Sequence, residues 1–214
     1  MSNKKEFFEW IYCIIIAIVL ALLIRYFVGT PTIVKQPSMF PTLKENQRLW
    51  LNKWAIRTKQ DFERGEIVTF EAPLEKYTYI PVKDADLENP IAIYESDENK
   101  GIFKKFVYYV LEIGKKSYIK RVIGLPGEHV EIKDGCVYVN GEKLDESYLQ
   151  DGVITTDLEG AFTDIIVPDG YLFLMGDNRS HSTDSRRFGC IPINKIESKV
   201  YIRIWPLNLW GKVD

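Results

Sequence analysis

Apolar residues fall along this chain in two different ways. In residues 10–24 there is no charge, and Phe7, Phe8, Phe27 and Val28 extend the apolar run on either side, with Glu9 and Arg25 near its ends. A bilayer core of about 30 Å takes roughly 20 helical residues. Residues 7–28 are therefore predicted to span a membrane as a helix, with Glu9 and Arg25 reaching towards the interfaces. Removal of the run after export would require small residues at a cleavage point. Arg25-Tyr26-Phe27-Val28-Gly29-Thr30-Pro31 supplies bulky ones, so an uncleaved anchor is expected. Lys4 and Lys5 precede the run and favour a cytoplasmic N-terminus, although Arg25, Lys35 and Lys44 on the other side make the bias small.

After the anchor the pattern shortens. Residues 66–70 form a strand candidate, and residues 129–133 alternate apolar and polar positions. Asp134-Gly135 then leads into residues 136–139, followed by Asn140-Gly141. Asp-Gly and Asn-Gly between such runs signal hairpins, because the tight two-residue turn needs positive φ at both central positions. Pro168-Asp169-Gly170 turns the chain into an apolar run at 171–175, and residues 200–205 read as a late strand. No long amphipathic helix stands out. The expected fold class is mostly β, with one N-terminal transmembrane helix. Residues 74–117 break the pattern with polar runs at 84–89 and 95–100 and a basic-aromatic piece at 103–116. They read as an insertion between two core strands, with residues 102–113 either a short helix whose Lys104, Lys105, Lys115 and Lys116 touch anionic lipid headgroups or a solvated loop face. The expected organisation is a short cytoplasmic piece at 1–6, an anchor at 7–28 and an extracytoplasmic domain at 29–214.

Composition narrows the classes. The 214 residues are enough for one substantial core. A net charge of −2 and the lack of a long basic stripe argue against a nucleic-acid partner. Aromatic content of 13%, with many Val and Ile residues in short runs, agrees with β structure. Cys13 lies in the apolar run. Cys136 and Cys190 could pair or remain two thiols, and spacing alone does not decide between these. No Cys/His cluster with zinc-site spacing occurs, and no metal or organic cofactor is implied.

Three segments carry candidate chemistry. Pro37-Ser38-Met39-Phe40-Pro41-Thr42-Leu43 holds a serine between prolines, which restrict the backbone and can present a hydroxyl rigidly. In Tyr118-Ile119-Lys120-Arg121-Val122-Ile123-Gly124-Leu125-Pro126-Gly127-Glu128, strand alternation predicts that one of Lys120 and Arg121 faces the core and the other solvent. A buried lysine is poorly hydrated, its pKa falls, and the neutral amine can accept a proton from a hydroxyl. Gly176-Asp177-Asn178-Arg179-Ser180-His181-Ser182-Thr183-Asp184-Ser185-Arg186 gathers hydrogen-bonding residues and both charge signs into one loop. It reads either as a self-bonded polar turn or as a support for such an amine.

In this order, after a membrane segment, the three stretches resemble the type I signal peptidases, a family of Ser-Lys serine proteases. The shared patterns are Ser-Met-x-Pro-Thr-Leu, Lys-Arg-Val-Ile-Gly-x-Pro-Gly and Gly-Asp-Asn-Arg-x-x-Ser-x-Asp-Ser-Arg. The resemblance implies a β-sandwich or barrel catalytic domain on the outer membrane surface. Its implied reaction is cleavage of signal peptides from secretory preproteins, with small residues at substrate positions −1 and −3. Position by position, it implies Ser38 as nucleophile, Lys120 as general base and Ser182 bonded to the lysine amine. Asp184 and Arg186 would form a salt bridge behind the site, and Asp177 would help hold the loop. Membrane lipid and the neighbourhood of the export translocon follow as surroundings. No histidine is required in this variant of the triad logic.

The chain departs from the family where relatives often place a glycine before the nucleophile or a serine two positions earlier. Here those positions are Pro37, which has no N–H, and Gln36, whose amide is the candidate second oxyanion donor beside the Ser38 N–H. His181 stands where relatives often have Asn, which opens a Ser-His-Asp reading with Asp184, although near neighbours in one loop seldom meet that geometry. Three other readings compete: a repressor-type Ser-Lys autoprotease, a tethered β domain that binds extended peptides without cutting them, and a processing enzyme with a narrow substrate such as a pilin.

Overall fold

The computed structural model describes residues 2–96 and 101–213. Part of the polar run at 95–100, residues 97–100, lies outside the described residues. The apolar N-terminal run is helical. Helix α1 (Ser2–Leu23) continues through one wider π-helical segment, Ile24–Val28. The stretch Lys5–Val28 is long and apolar enough to cross a membrane, and none of its most apolar window is buried against the rest of the chain.

Among the described residues, the remainder is built from twelve short strands. They are β1 (Gly29–Ile33), β2 (Arg48–Asn52), β3 (Ile67–Glu71), β4 (Ser117–Gly124), β5 (His129–Lys133), β6 (Cys136–Val139), β7 (Glu142–Lys143), β8 (Asp164–Ile166), β9 (Tyr171–Met175), β10 (Ile191–Pro192), β11 (Ile196–Trp205) and β12 (Gly211–Lys212). Among the described residues, three α-helices follow α1: α2 (Trp54–Arg57), α3 (Ile102–Tyr109) and α4 (Ser185–Phe188). The main sheet has the order β1-β2-β11-β3-β4-β9-β10, with β12 also on β11. A smaller sheet has the order β7-β6-β5-β8.

The predicted hairpins form as expected. Asp134 and Gly135 both have positive φ (51° and 74°) between β5 and β6, as do Asn140 and Gly141 (53° and 82°) between β6 and β7. The strand expected at 200–205 is longer, starting at Ile196, and the helix expected to reach residue 113 stops at Tyr109. All three cysteines are free thiols.

The core explains why alternation is faint in the central strands. Val122, Leu172 and Leu174 pack with Val68, Phe70, Phe188 and Ile191 in one cluster, whereas Ile123, Phe173 and Met175 pack with Val130, Val137, Phe162 and Val167 in another. Consecutive residues of β4 and β9 thus enter different apolar cores, and strands buried on both faces lose the polar-apolar rhythm. A third cluster joins Val34, Met39 and Leu43 to Leu49, Leu51, Ile67 and Val200. It sits beneath the residues flanking Ser38 and so ties that turn to the sheet.

Candidate active site

Ser38 lies in a one-turn 3-10 helix, Pro37–Met39. Proline at the first position favours the turn, since its missing N–H would have no partner there. The Phe40 N–H closes the turn on the Pro37 carbonyl at 3.0 Å, and the Leu43 N–H donates to the Met39 carbonyl at 2.8 Å. Met39 and Leu43 are fully buried and act as pegs on either side of the exposed Phe40. Ser38 itself is 8% exposed.

Lys120 approaches from β4. Its Nζ donates to Ser38 Oγ at 2.8 Å and to the Ile119 carbonyl at 2.9 Å. The amine is almost wholly buried and lies 5.5 Å from the centre of the Tyr118 ring. Burial pushes its pKa down to about 8; Asp184 and Asp177 work against that shift and Arg186 adds to it. A lysine in this state exchanges charged and neutral forms near neutrality.

The alternation expected for Lys120 and Arg121 needs a correction. Neither side chain faces solvent; each is only 2% exposed. The reason is that both faces of β4 are covered. Arg121 makes a bidentate pair with Asp177, Nε to Oδ1 at 2.9 Å and Nη2 to Oδ2 at 2.8 Å, and donates to the Gly65 carbonyl at 2.7 Å. Thr42 Oγ1 donates to the same Asp177 carboxylate at 2.6 Å. Asp177 thereby joins the 176–186 loop to β4 and to the segment after Ser38.

The loop reaches back to the Ser38 turn through contacts that the sequence did not disclose. The Asn178 N–H donates to the Ser38 carbonyl at 3.0 Å, and its side-chain amide donates to the Pro37 carbonyl at 3.1 Å. Gly176 passes so close that a Cβ built there would stand 2.5 Å from the Ser38 carbonyl oxygen and 2.2 Å from Ser182 Oγ. Only glycine fits this approach.

Behind the loop, Asp184 and Arg186 form the expected pair, with Nε to Oδ1 at 2.8 Å and Nη2 to Oδ2 at 2.7 Å, both side chains fully buried. Burial would raise the Asp184 pKa, but the charge and hydrogen bonds of Arg186, with the Gly176 N–H and the nearby Ser182 hydroxyl, bring it below the ordinary value. Arg186 also donates to the Arg179 and Thr156 carbonyls. Arg179, equally buried, pairs with Glu146 and donates to Thr155 Oγ1 and the Gly176 carbonyl. Arg179 stood inside a loop singled out by its polar density, but Glu146 and Thr155 come from a stretch with no periodic signal.

Ser182, Gln36 and His181 all stand apart from the Ser38–Lys120 contact. Ser182 is buried beside Gly176, yet its Oγ has no well-formed hydrogen bond, and the expected bond to the lysine amine is not made. The physical reason is that Lys120 turns to Ser38 Oγ and the Ile119 carbonyl instead. Gln36 is exposed with an extended backbone, two residues before Ser38. His181 is exposed and bonds Ser180 Oγ through Nδ1, while Asp184 is committed to Arg186 and Gly176, so these two do not form a His-Asp pair. Among the described residues no group of three or more His, Cys, Asp or Glu side chains is placed to hold a metal ion.

Comparison with known proteins points to one family. Residues 7–205 match the family model described as signal peptidase, peptidase S26. Signal peptidase I of Bacillus licheniformis is 36% identical over 219 residues, covering 100% of this chain and 96% of that protein. Signal peptidase I S of Bacillus subtilis (strain 168) is 36% identical, covering 100% and 97%. Signal peptidase IB of Staphylococcus aureus is 34% identical, covering 96% and 93%. A crystal structure of a signal peptidase I from Enterococcus faecalis V583 aligns with a TM-score of 0.42 at 25% identity, over 66% of this chain and 97% of that one. On the family match and the full-length identities, the chain belongs to the signal peptidase family, peptidase S26, and is a serine peptidase of the signal peptidase I kind.

Proposed function

We propose that this protein is a membrane-bound signal peptidase I that removes N-terminal signal peptides from secreted preproteins with a Ser38–Lys120 dyad. The observation that carries the reading is the 2.8 Å contact between Lys120 Nζ and Ser38 Oγ. That distance suits proton transfer between nucleophile and base.

In this reading, neutral Lys120 accepts the Ser38 hydroxyl proton as Oγ attacks the scissile carbonyl, and returns it to the leaving amine. Water activated by the same amine then releases the acyl group. The Ser38 N–H and the Gln36 side-chain amide hold the developing oxyanion, where one lost donor typically costs about 2.7–4 kcal/mol. Ser182 steadies the amine once the Ser38 contact is broken by acylation. The substrate enters as an extended strand. Supporting this, β9 pairs with β4 only from Arg121 onwards, so residues 117–120 have β3 on one edge and no strand on the other among the described residues. Small substrate residues at −1 and −3 fit this close approach.

Residues 1–6 lie in the cytoplasm in this reading, residues 7–28 span the membrane, and residues 29–214 stand outside with the site near the bilayer and the export translocon. The test is cleavage of a preprotein with an Ala-x-Ala site by the detergent-solubilised full chain, read by product mass. A single cut after the second Ala is expected. A folded, monodisperse protein that leaves this and a panel of other secretory precursors intact contradicts the reading.

A further inference from the structure

We propose that helix α3 lies in the membrane interface as a second, peripheral contact beside the anchor. It presents Ile102, Phe103 and Phe106 to the acyl-chain boundary of a lipid bilayer. The inference rests on the anchored reading above and goes beyond it, since it assigns a lipid-binding surface to the connection between β3 and β4.

The helix has two unlike faces. Tyr108 turns inwards, its hydroxyl donating to Glu71 Oε1 at 3.2 Å, and Lys115 nearby is paired with Glu197 at 2.6 Å. On the other face Ile102 is 90% exposed, Phe103 78% and Phe106 44%, and Ile113 just beyond the helix is 62% exposed. Positions 102, 103 and 106 share one side of a helix with 3.6 residues per turn. Three large apolar side chains turned outwards from one short helix mark a contact surface.

Its neighbours say what covers it. The turn after α3 is fastened to the end of the anchor. Arg25 donates to Glu112 at 2.9 Å and to the Leu111 carbonyl at 3.1 Å, and Lys53 joins the same carboxylate. Burial of Glu112 is outweighed by bonds to Lys53 and Arg25, so its pKa is lowered and it stays charged across the neutral range. Arg57 stacks over the Tyr26 ring at 4.1 Å, binding α2 to the same point. Arg25 and Tyr26 are in the last turns of the span Lys5–Val28, where the chain leaves the hydrocarbon. The apolar face of α3 is therefore held at interface level by contacts to the anchor. Lys104 and Lys105 are exposed on the same helix. Lysines flanking an apolar stripe suit an interfacial helix over anionic headgroups.

The test uses the full chain, with its native cysteines replaced, reconstituted in vesicles of phosphatidylglycerol and phosphatidylcholine. An environment-sensitive fluorophore is placed by Ile102→Cys, Ile15→Cys or Glu142→Cys, and brominated acyl chains serve as quenchers. An interfacial helix sits about 5–10 Å into the headgroup boundary. The label at 102 is expected to shift to the blue and to lose emission to brominated lipid, as the label at 15 does, while the label at 142 on β7 is unaffected. Quenching at 15 with none at 102, or equal quenching at 102 and 142, overturns the inference and leaves the anchor standing. Absence of quenching at 15 overturns the anchored reading and this inference together. Cleavage of a short soluble peptide by each labelled protein reports separately on the Ser-Lys reading.

Discussion

Lys120 Nζ sits 2.8 Å from Ser38 Oγ although the two residues are 82 positions apart in the chain. β4 carries one partner and a proline-bounded turn pegged by Met39 and Leu43 carries the other. Within the proposed mechanism this contact governs rate, pH dependence and part of the stability.

The rate should depend on the fraction of neutral Lys120. With the amine's pKa brought down to about 8, kcat/KM should climb roughly tenfold per unit below that pH and level off above it. A pH–rate profile on a peptide without ionisable groups checks this. A flat rate from about pH 5 to 9 contradicts the lysine as base.

The same burial should cost stability. Lys120 titrates lower in the folded chain than its ordinary 10.5, so the unfolded chain binds more protons between the two values. Stability of the wild type should therefore rise with pH from about 8 towards about 10.5, and the penalty is full below 8. Lys120→Met should be the more stable protein at pH 7, by on the order of 1–3 kcal/mol. Denaturant unfolding of both proteins at pH 7 and 10 tests the sign and its disappearance at high pH.

The Asp184–Arg186 pair should behave in the opposite way. Replacing either partner leaves a fully buried charge without its counter-ion, and Arg186→Met or Asp184→Ala should lose about 3–5 kcal/mol. Thermal unfolding gives the answer. Because the lowered pKa of Asp184 keeps it charged, its contribution is present above the ordinary carboxylate pKa and is lost as acid protonates it.

Asn178 and Ser182 separate positioning from stability. Asn178→Ala removes the hydrogen bond to the Pro37 carbonyl and should slow cleavage while changing stability by about 1 kcal/mol or less. Ser182 Oγ has no well-formed partner to lose, so Ser182→Ala should leave the melting temperature nearly unchanged. If the hydroxyl steadies the lysine during turnover, the rate and its apparent pKa should both move. A rate and pH profile equal to wild type would remove Ser182 from the mechanism.

What the sequence disclosed follows from how local each signal was. The long apolar N-terminal helix and the hairpin turns at 134–135 and 140–141 were legible, because a long apolar run and paired positive-φ residues depend only on neighbours in sequence. Strands β1 and β2 were not anticipated. Their edges are set by pairing with each other and by β11 pairing with β2, which are long-range partnerships. The Lys120–Arg121 alternation failed because solvent was assumed on one face of β4, where Asp177 and Thr42 stand instead. Ser38, Lys120, Asp184 and Arg186 were marked by motif. Arg179 with Glu146, and the Asn178 clamp on the Ser38 turn, depend on distances that no spacing in the chain encodes.

The most direct test of the dyad is cleavage of one Ala-x-Ala preprotein by wild type, Ser38→Ala and Lys120→Met, each confirmed folded, with product masses recorded. Correct cleavage by wild type and none by either variant is expected. Cleavage by Lys120→Met at a rate near wild type, with Ser38→Ala inactive, would contradict the dyad and place the base elsewhere.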